Sequence, residues 1–201
     1  MKMPIIALGR QFGSGGREIG RQLAESLSVR CYDRELITLA AQRAELREEL
    51  FADREEKAPN PWLFTGVYEG GPQVRRGQPA ENILFEMQSQ VILDLARKES
   101  CIIVGRCTDA VLRTAGIPVI SLFICAPFGD RVRRRMEIEG IGPKEAEEAV
   151  RKMDKQRKKY YDTYTGRHWG APENYDFCIN SSVRGIPGTA EQIMIWVRAA
   201  W

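Results

Sequence analysis

Apolar positions along this chain follow two kinds of pattern. "PIIALG", "CIIVG" and "VISLFICA" are short continuous runs, the even hydrophobicity of strands buried on both faces of a parallel sheet. "VRCYD" and "DFCIN" read as two further short strands. Elsewhere the apolar residues recur every three or four positions, as a helix face requires. Ile19, Leu23 and Leu27 do so in "REIGRQLAESLS", and Ile83, Met87, Val91 and Leu95 do so between Ala80 and about Glu99. A helix is also predicted from about Arg34 to Leu50, and "TAEQIMIWVRAA" is predicted as a closing helix. Strands alternating with helices predict a doubly wound α/β fold in one domain. Prolines and glycines crowd residues 52–80, where "PWLFTGVYEGG" predicts a mobile or inserted segment.

Composition narrows the function classes. The chain has 201 residues, 43% of them hydrophobic and 28% charged, with a net charge of +3 and a pI near 8.6. These are ordinary values for a soluble domain. Five scattered cysteines without a CxxC argue for reduced thiols in a cytoplasmic protein and against a zinc site. His168 is the only histidine, so chemistry that needs a histidine base has one candidate, placed in the loop-like "GRHWGAP". A structural hydrogen bond or stacking on Trp169 is the simpler role for it. "MKMPIIALG" is too short in apolar length for a secretory signal, and no run reaches the roughly 18 apolar residues of a membrane span.

The candidate chemistry begins at "GRQFGSGGREIG", between the first strand and the first helix. Glycines there let backbone N–H groups converge on an anion, and a helix amino terminus adds its dipole. The dinucleotide pattern G-x-G-x-x-G fails, because Glu18 stands at its third glycine. The P-loop pattern G-x-x-x-x-G-K-[ST] fits in neither of two registers. Aligned on Gly13-Ser14-Gly15, it puts Gly16 at the lysine and Glu18 near the hydroxyl; aligned on Arg17 as the lysine, it puts Gln11 at the first glycine. Arg17 is a candidate for the missing charge, and Glu18 for a Mg²⁺ ligand or a helix cap. A glycine-rich turn that binds nothing is the alternative reading.

"GRQFGSGGREIG", "YDRELI", "IIVGRCTD", "DKQRKKYYDTYTG" and "NYDFCINSS" resemble, in order, the cytidylate kinase-like family. The resemblance spans most of the chain except roughly residues 50–80. It implies a P-loop kinase fold: a five-stranded parallel sheet flanked by helices, a small acceptor-binding insertion and a helical lid at about residues 131–165. It also implies transfer of the γ-phosphoryl group of ATP, with Mg²⁺, to CMP or dCMP. Gly13, Ser14, Gly15, Gly16, Arg17 and Glu18 would then cradle the donor phosphates. Asp33 would lie beside the acceptor nucleotide, Arg106 would reach its phosphate, and Asp154 and Arg157 would face base and phosphates. The family's loop lysine and threonine are missing here, Asp33-Arg34-Glu35-Leu36 replaces its "DSGA", and Cys107 replaces the Asp after its "GR".

Phosphoryl transfer demands aligned positive charge more than covalent chemistry. Arg131 and Arg135 share one helix face in "PFGDRVRRRMEIEG", with Arg134 beside them; taken singly, each is expected on a solvated face. Arg157 lies in the apolar stripe of Ala146, Val150, Met153, Tyr160 and Tyr164, whereas Lys155, Lys158 and Lys159 point elsewhere. A charge on a buried face needs a partner, either Asp154 or a phosphate. Arg17, Arg131, Arg135 and Arg157 are therefore the candidate catalytic charges. Trp62, Phe64 and Tyr68 could stack on a base or pack against another subunit. Glu137, Glu139, Glu145, Glu147, Glu148 and Asp154 interrupt the basic stretch and argue against nucleic acid as a partner. The expected function is a nucleoside monophosphate kinase. A nucleotide sensor with weak chemistry, or a P-loop kinase for another small molecule, is the alternative.

Overall fold

The computed structural model describes residues 5–33 and 80–200. The predicted helix at 34–50, the proline-rich segment up to residue 79, and Trp62, Phe64 and Tyr68 lie outside the described residues. The described elements run β1 (Ile5–Arg10), α1 (Gly16–Leu27), β2 (Arg30–Tyr32), α2 (Ala80–Lys98), β3 (Cys101–Val104), α3 (Thr108–Thr114) and β4 (Val119–Cys125). They continue with α4 (Phe128–Glu139), α5 (Pro143–Thr165), a 3₁₀ turn at Pro172–Asn174, β5 (Phe177–Asn180) and α6 (Gly185–Ala200).

The five strands are all parallel, in the order β2-β3-β1-β4-β5. Side-chain alternation explains the unbroken apolar runs. Ile6 and Leu8 of β1, with Ile102 and Val104 of β3, face Ile19 and Leu23 of α1 and Ile193 and Val197 of α6. Ile5, Cys101 and Ile103 face the other way, onto Leu84, Val91 and Ile92 of α2 and Leu112 of α3. Both faces are dry, so no strand in the centre needs a polar side. The predicted fold class is the observed one.

One boundary differs from the sequence pattern. The last helix starts at Gly185, four residues before the predicted Thr189. Pro187 sits in its first turn, where a missing N–H costs nothing. Cys178 is exposed because β5 is an edge strand, whereas Cys101 and Cys107 are buried. All five cysteines are free thiols. No helix among the described residues is long and apolar enough to cross a membrane.

The chain direction reverses between β3 and β1. From β1 it moves to one side of the sheet and from β3 to the other, which opens a crevice beyond their carboxyl ends. The glycine loop after β1 and the Gly105-Arg106-Cys107 turn after β3 both lie at this crevice.

Candidate phosphoryl-transfer site

The loop between β1 and α1 bends twice through left-handed backbone, at Gly13 (φ 81°) and Gly15 (φ 78°). A Cβ at Gly13 would stand 2.7 Å from the carbonyl oxygen of Arg131, so that position excludes side chains twice over. Gly15 caps α1, and no side chain caps the helix. The first amides of α1 therefore have no intrahelical acceptor and point out of the helix start. Ser14 looks inward: its Oγ donates to Gln11 O at 2.8 Å, and its carbonyl accepts from Ser181 Oγ at 2.7 Å.

Phe12 holds this loop to the distant helices. Its N–H donates to Asp154 Oδ1 at 2.8 Å, and its carbonyl accepts from Arg131 Nη1 at 3.2 Å. Arg131 Nη1 also binds Asp154 Oδ2, and Arg131 Nε donates to Ala126 O at 3.0 Å. An ion pair from α4 and α5 thus satisfies both backbone groups of one loop residue. The Phe12 ring packs with Val132, Ala146 and Val150, and the Arg135 and Arg157 guanidinium groups lie 4.4 and 5.6 Å from its centroid. The solvated face expected for Arg131 is thereby corrected: its side chain is 7% exposed, because α4 packs onto α5 at this point. Arg135, which also pairs with Glu139, loses basicity chiefly through burial.

Arg17 and Glu18 are each engaged sideways. Arg17 Nε binds Asp33 Oδ2, and Arg134 Nη2 lies 3.1 Å from Glu18 Oε1. Asp33 also has Arg10 Nη2 at 3.6 Å, so one carboxylate is shared by two arginines. Arg157 reaches back to β1, where its Nη1 donates to Arg10 O at 3.3 Å. Lys155, Lys158 and Lys159 are exposed, as the helical stripe predicts.

Beyond β3, Gly105, Arg106 and Cys107 have φ of 80°, 61° and 54° in succession. Non-glycine residues held in this region store strain of order 1–3 kcal/mol each. The turn places the Arg106 side chain, 1% exposed, under the crevice. Arg10, Arg106 and Arg157 line one cavity of about 20 Å³ with Asp109, Tyr161 and Trp169. That volume holds about one water. The sequence-predicted Arg106 and Arg157 thus meet there, whereas Arg131, Arg135 and Asp154 gather around Phe12.

Three residues of this cavity escaped the sequence reading: Arg10, Asp109 and Tyr161. A charged residue closing a buried strand was the available signal for Arg10. Nothing comparable marked Asp109, buried in the first turn of α3, whose Oδ2 accepts from Tyr161 Oη at 2.6 Å. Burial raises the Asp109 pKa above the ordinary range, and burial followed by the Asp109 charge raises that of Tyr161. A carboxyl whose pKa is raised on folding contributes stability below its unfolded value, near about 3.9, which is lost as pH rises through the folded value. Asp109→Asn is therefore expected to match or exceed the wild type in urea unfolding at pH 7, and the wild type should gain on it as pH falls toward 4. A difference independent of pH would contradict this.

His168 contributes a backbone acceptor, to Asn174 Nδ2 at 2.7 Å, and its side chain is exposed. Trp169 meets Phe123 edge to face, with centroids 5.4 Å apart. Near the carboxyl end of α5, Tyr160 and Tyr164 donate to Gln88 and Asn82 of α2, and Phe85 stacks on Tyr164. Helix α5 is thus fastened to the loop near its middle and to α2 near its end.

The family model for the cytidylate kinase-like family matches residues 5–183. The chain belongs to this family. Among solved structures, an uncharacterized protein from Eubacterium ventriosum is 29% identical, with 98% of this chain and 99% of that one covered and a TM-score of 0.71. Shikimate kinase from Bacteroides thetaiotaomicron is 15% identical over 98% and 99% of the two chains, with a TM-score of 0.57. Shikimate kinase from Acinetobacter baumannii, in complex with shikimate, is 14% identical over 98% and 94%, with a TM-score of 0.54. At these identities the two shikimate kinases share the fold. No curated protein matches the sequence.

Proposed function

We propose that this member of the cytidylate kinase-like family transfers the γ-phosphoryl group of ATP to a small phosphorylated acceptor, with CMP and dCMP the first candidates. The carrying observation is a glycine loop on a helix start at the switch-point crevice, next to a cavity lined by Arg10, Arg106 and Arg157. In this reading the amides from Gly13 to Glu18 hold the donor phosphates, Arg106 holds the acceptor phosphate, and Arg157 spans the two. Asp33 orients the arginines beside it, and Arg135 adds positive charge above Phe12. Asp154 and Arg131 hold the loop in shape.

The acceptor is already an anion at neutral pH, so no base has to take a proton from it. The bond from γ-phosphorus to its bridging oxygen breaks with its electron pair leaving on ADP, and an acceptor phosphate oxygen forms the new bond. Alignment and charge do the catalysis. Magnesium bound to ATP takes most ligands from phosphate and water. Glu18, a single carboxylate at the helix start, would add one by exchanging its partner Arg134. In this reading the arginine-lined cavity, which holds about one water, widens to admit substrate.

The test is ADP release with ATP and CMP, dCMP, UMP, AMP, GMP or shikimate. Turnover with a nucleoside monophosphate supports the proposal, and turnover with shikimate alone moves the acceptor to a hydroxy acid. ATP binding without turnover on any of them would favour a nucleotide sensor. The pairing of both Arg17 and Glu18 with protein side chains motivates that second reading.

A further inference from the structure

The missing loop lysine has a structural counterpart, and it is not the arginine that follows the glycines. In the pattern G-x-x-x-x-G-K the second glycine precedes the helix and the lysine opens it. The backbone selects the register: Gly15 is the left-handed residue capping α1, and Gly16 is the first residue of the helix. The lysine then falls on Gly16, and the first glycine of the pattern, five residues before Gly15, falls on Arg10. The chain carries arginine where the pattern has glycine, and glycine where it has lysine.

Sterics couple the two exchanges. A Cβ at Gly16 would lie 2.6 Å from Cβ of Arg10 and 3.1 Å from its Cγ. Only one of the two positions can carry a long side chain, and the stem of Arg10 fills the room beside Gly16. Arg10 shares the α1-facing side of β1 with Leu8, whose Cδ2 lies 3.4 Å from the same point. Its side chain, 7% exposed, lines the cavity with Arg106 and Arg157. Arg17, by contrast, is 41% exposed and turned to Asp33.

We propose that Arg10 supplies, from the end of the strand, the positive charge that a P-loop lysine supplies from the helix, and that it contacts the β- and γ-phosphates of a nucleoside triphosphate. Its planar fork can hold two phosphate oxygens at once, where an ammonium acts as a point charge. This assignment rests on the kinase reading and specifies its donor side. Asp33, 3.6 Å from Arg10 and bound to Arg17, is the carboxylate that orients the fork.

The experiment measures binding of the non-hydrolysable analogue AMPPNP with Mg²⁺ by calorimetry, with a melting curve for each protein. Arg10→Met keeps the stem and removes the charge; it should weaken binding about thirtyfold or more, a loss at least several times larger than that of Arg17→Gln. Gly16→Lys alone should melt lower than the wild type, because its Cβ collides with Arg10. Arg10→Gly combined with Gly16→Lys writes the full G-x-x-x-x-G-K pattern into the loop and should recover binding to within about tenfold. Binding that survives Arg10→Met, or a double variant that folds yet binds no better than Arg10→Met, overturns the assignment. If these variants melt early, the guanidinium Nε–H resonance of Arg10 in the wild-type protein, assigned through Arg10→Lys, decides: it should shift on adding AMPPNP, and a signal that stays put overturns the assignment. A wild type that binds no nucleoside triphosphate overturns the kinase reading itself, an outcome distinct from wild-type binding that Arg10→Met leaves intact.

Discussion

Asp154→Ala is expected to lower stability by about 3 kcal/mol, and the melting temperature by roughly 6–12 °C. The substitution leaves the Arg131 guanidinium, 7% exposed, without its carboxylate. It also leaves the Phe12 N–H without its acceptor. Breaking one side of a buried pair costs more than the pair contributes net, because the remaining charge stays desolvated. Asp154→Asn keeps an acceptor for Phe12 and should lose about half as much. Thermal and urea unfolding measure both variants. The loop should loosen as well, so the KM for ATP rises in Asp154→Asn even where the protein is fully folded. A melting temperature within about 2 °C of the wild type for Asp154→Ala would show that the clamp contributes little.

Arg106→Gln carries the largest expected effect on activity, a fall in turnover of about 10²–10³ with the acceptor. The left-handed turn at Gly105, Arg106 and Cys107 holds this side chain under the crevice, where one guanidinium can neutralise an acceptor phosphate. ATP affinity should fall far less than turnover, because the donor loop follows β1 whereas Arg106 follows β3. Steady-state kinetics against each substrate, with a melting curve as control, separates the two effects. Turnover near the wild-type value would remove Arg106 from the acceptor side. An equal loss of ATP binding would move it to the donor side.

The strands were legible because burial on both sheet faces leaves a continuous apolar run, as in "CIIVG" and "VISLFICA". Helix α1 was legible because Ile19, Leu23 and Leu27 repeat along one face. The start of α6 was less so: Pro187 reads as a breaker in a sequence, yet it is harmless in a first turn. The site was legible only in part. Gly13, Gly15 and Arg106 were marked by local motifs. Arg131 gave no local sign of burial, and its partner Asp154 lies 23 residues away. Phe12 and Asp154 are 142 residues apart, and no periodicity connects them.

By itself, then, the amino-acid order determined the layered α/β architecture, the glycine turn at the first strand end and the presence of the arginines. Those are consequences of patterns a few residues long, and they survive any detail of packing. Only the tertiary structure decided what each arginine faces. Arg131 became a clamp on Phe12, Arg17 turned to Asp33, and Arg10 came to lie beside Gly16. A guanidinium reaches several ångströms in any direction from its Cα, so its partner is set by which helices pack across the crevice. The letters of the loop show that its lysine is gone. The stem of Arg10 fills the room that a side chain at Gly16 would need.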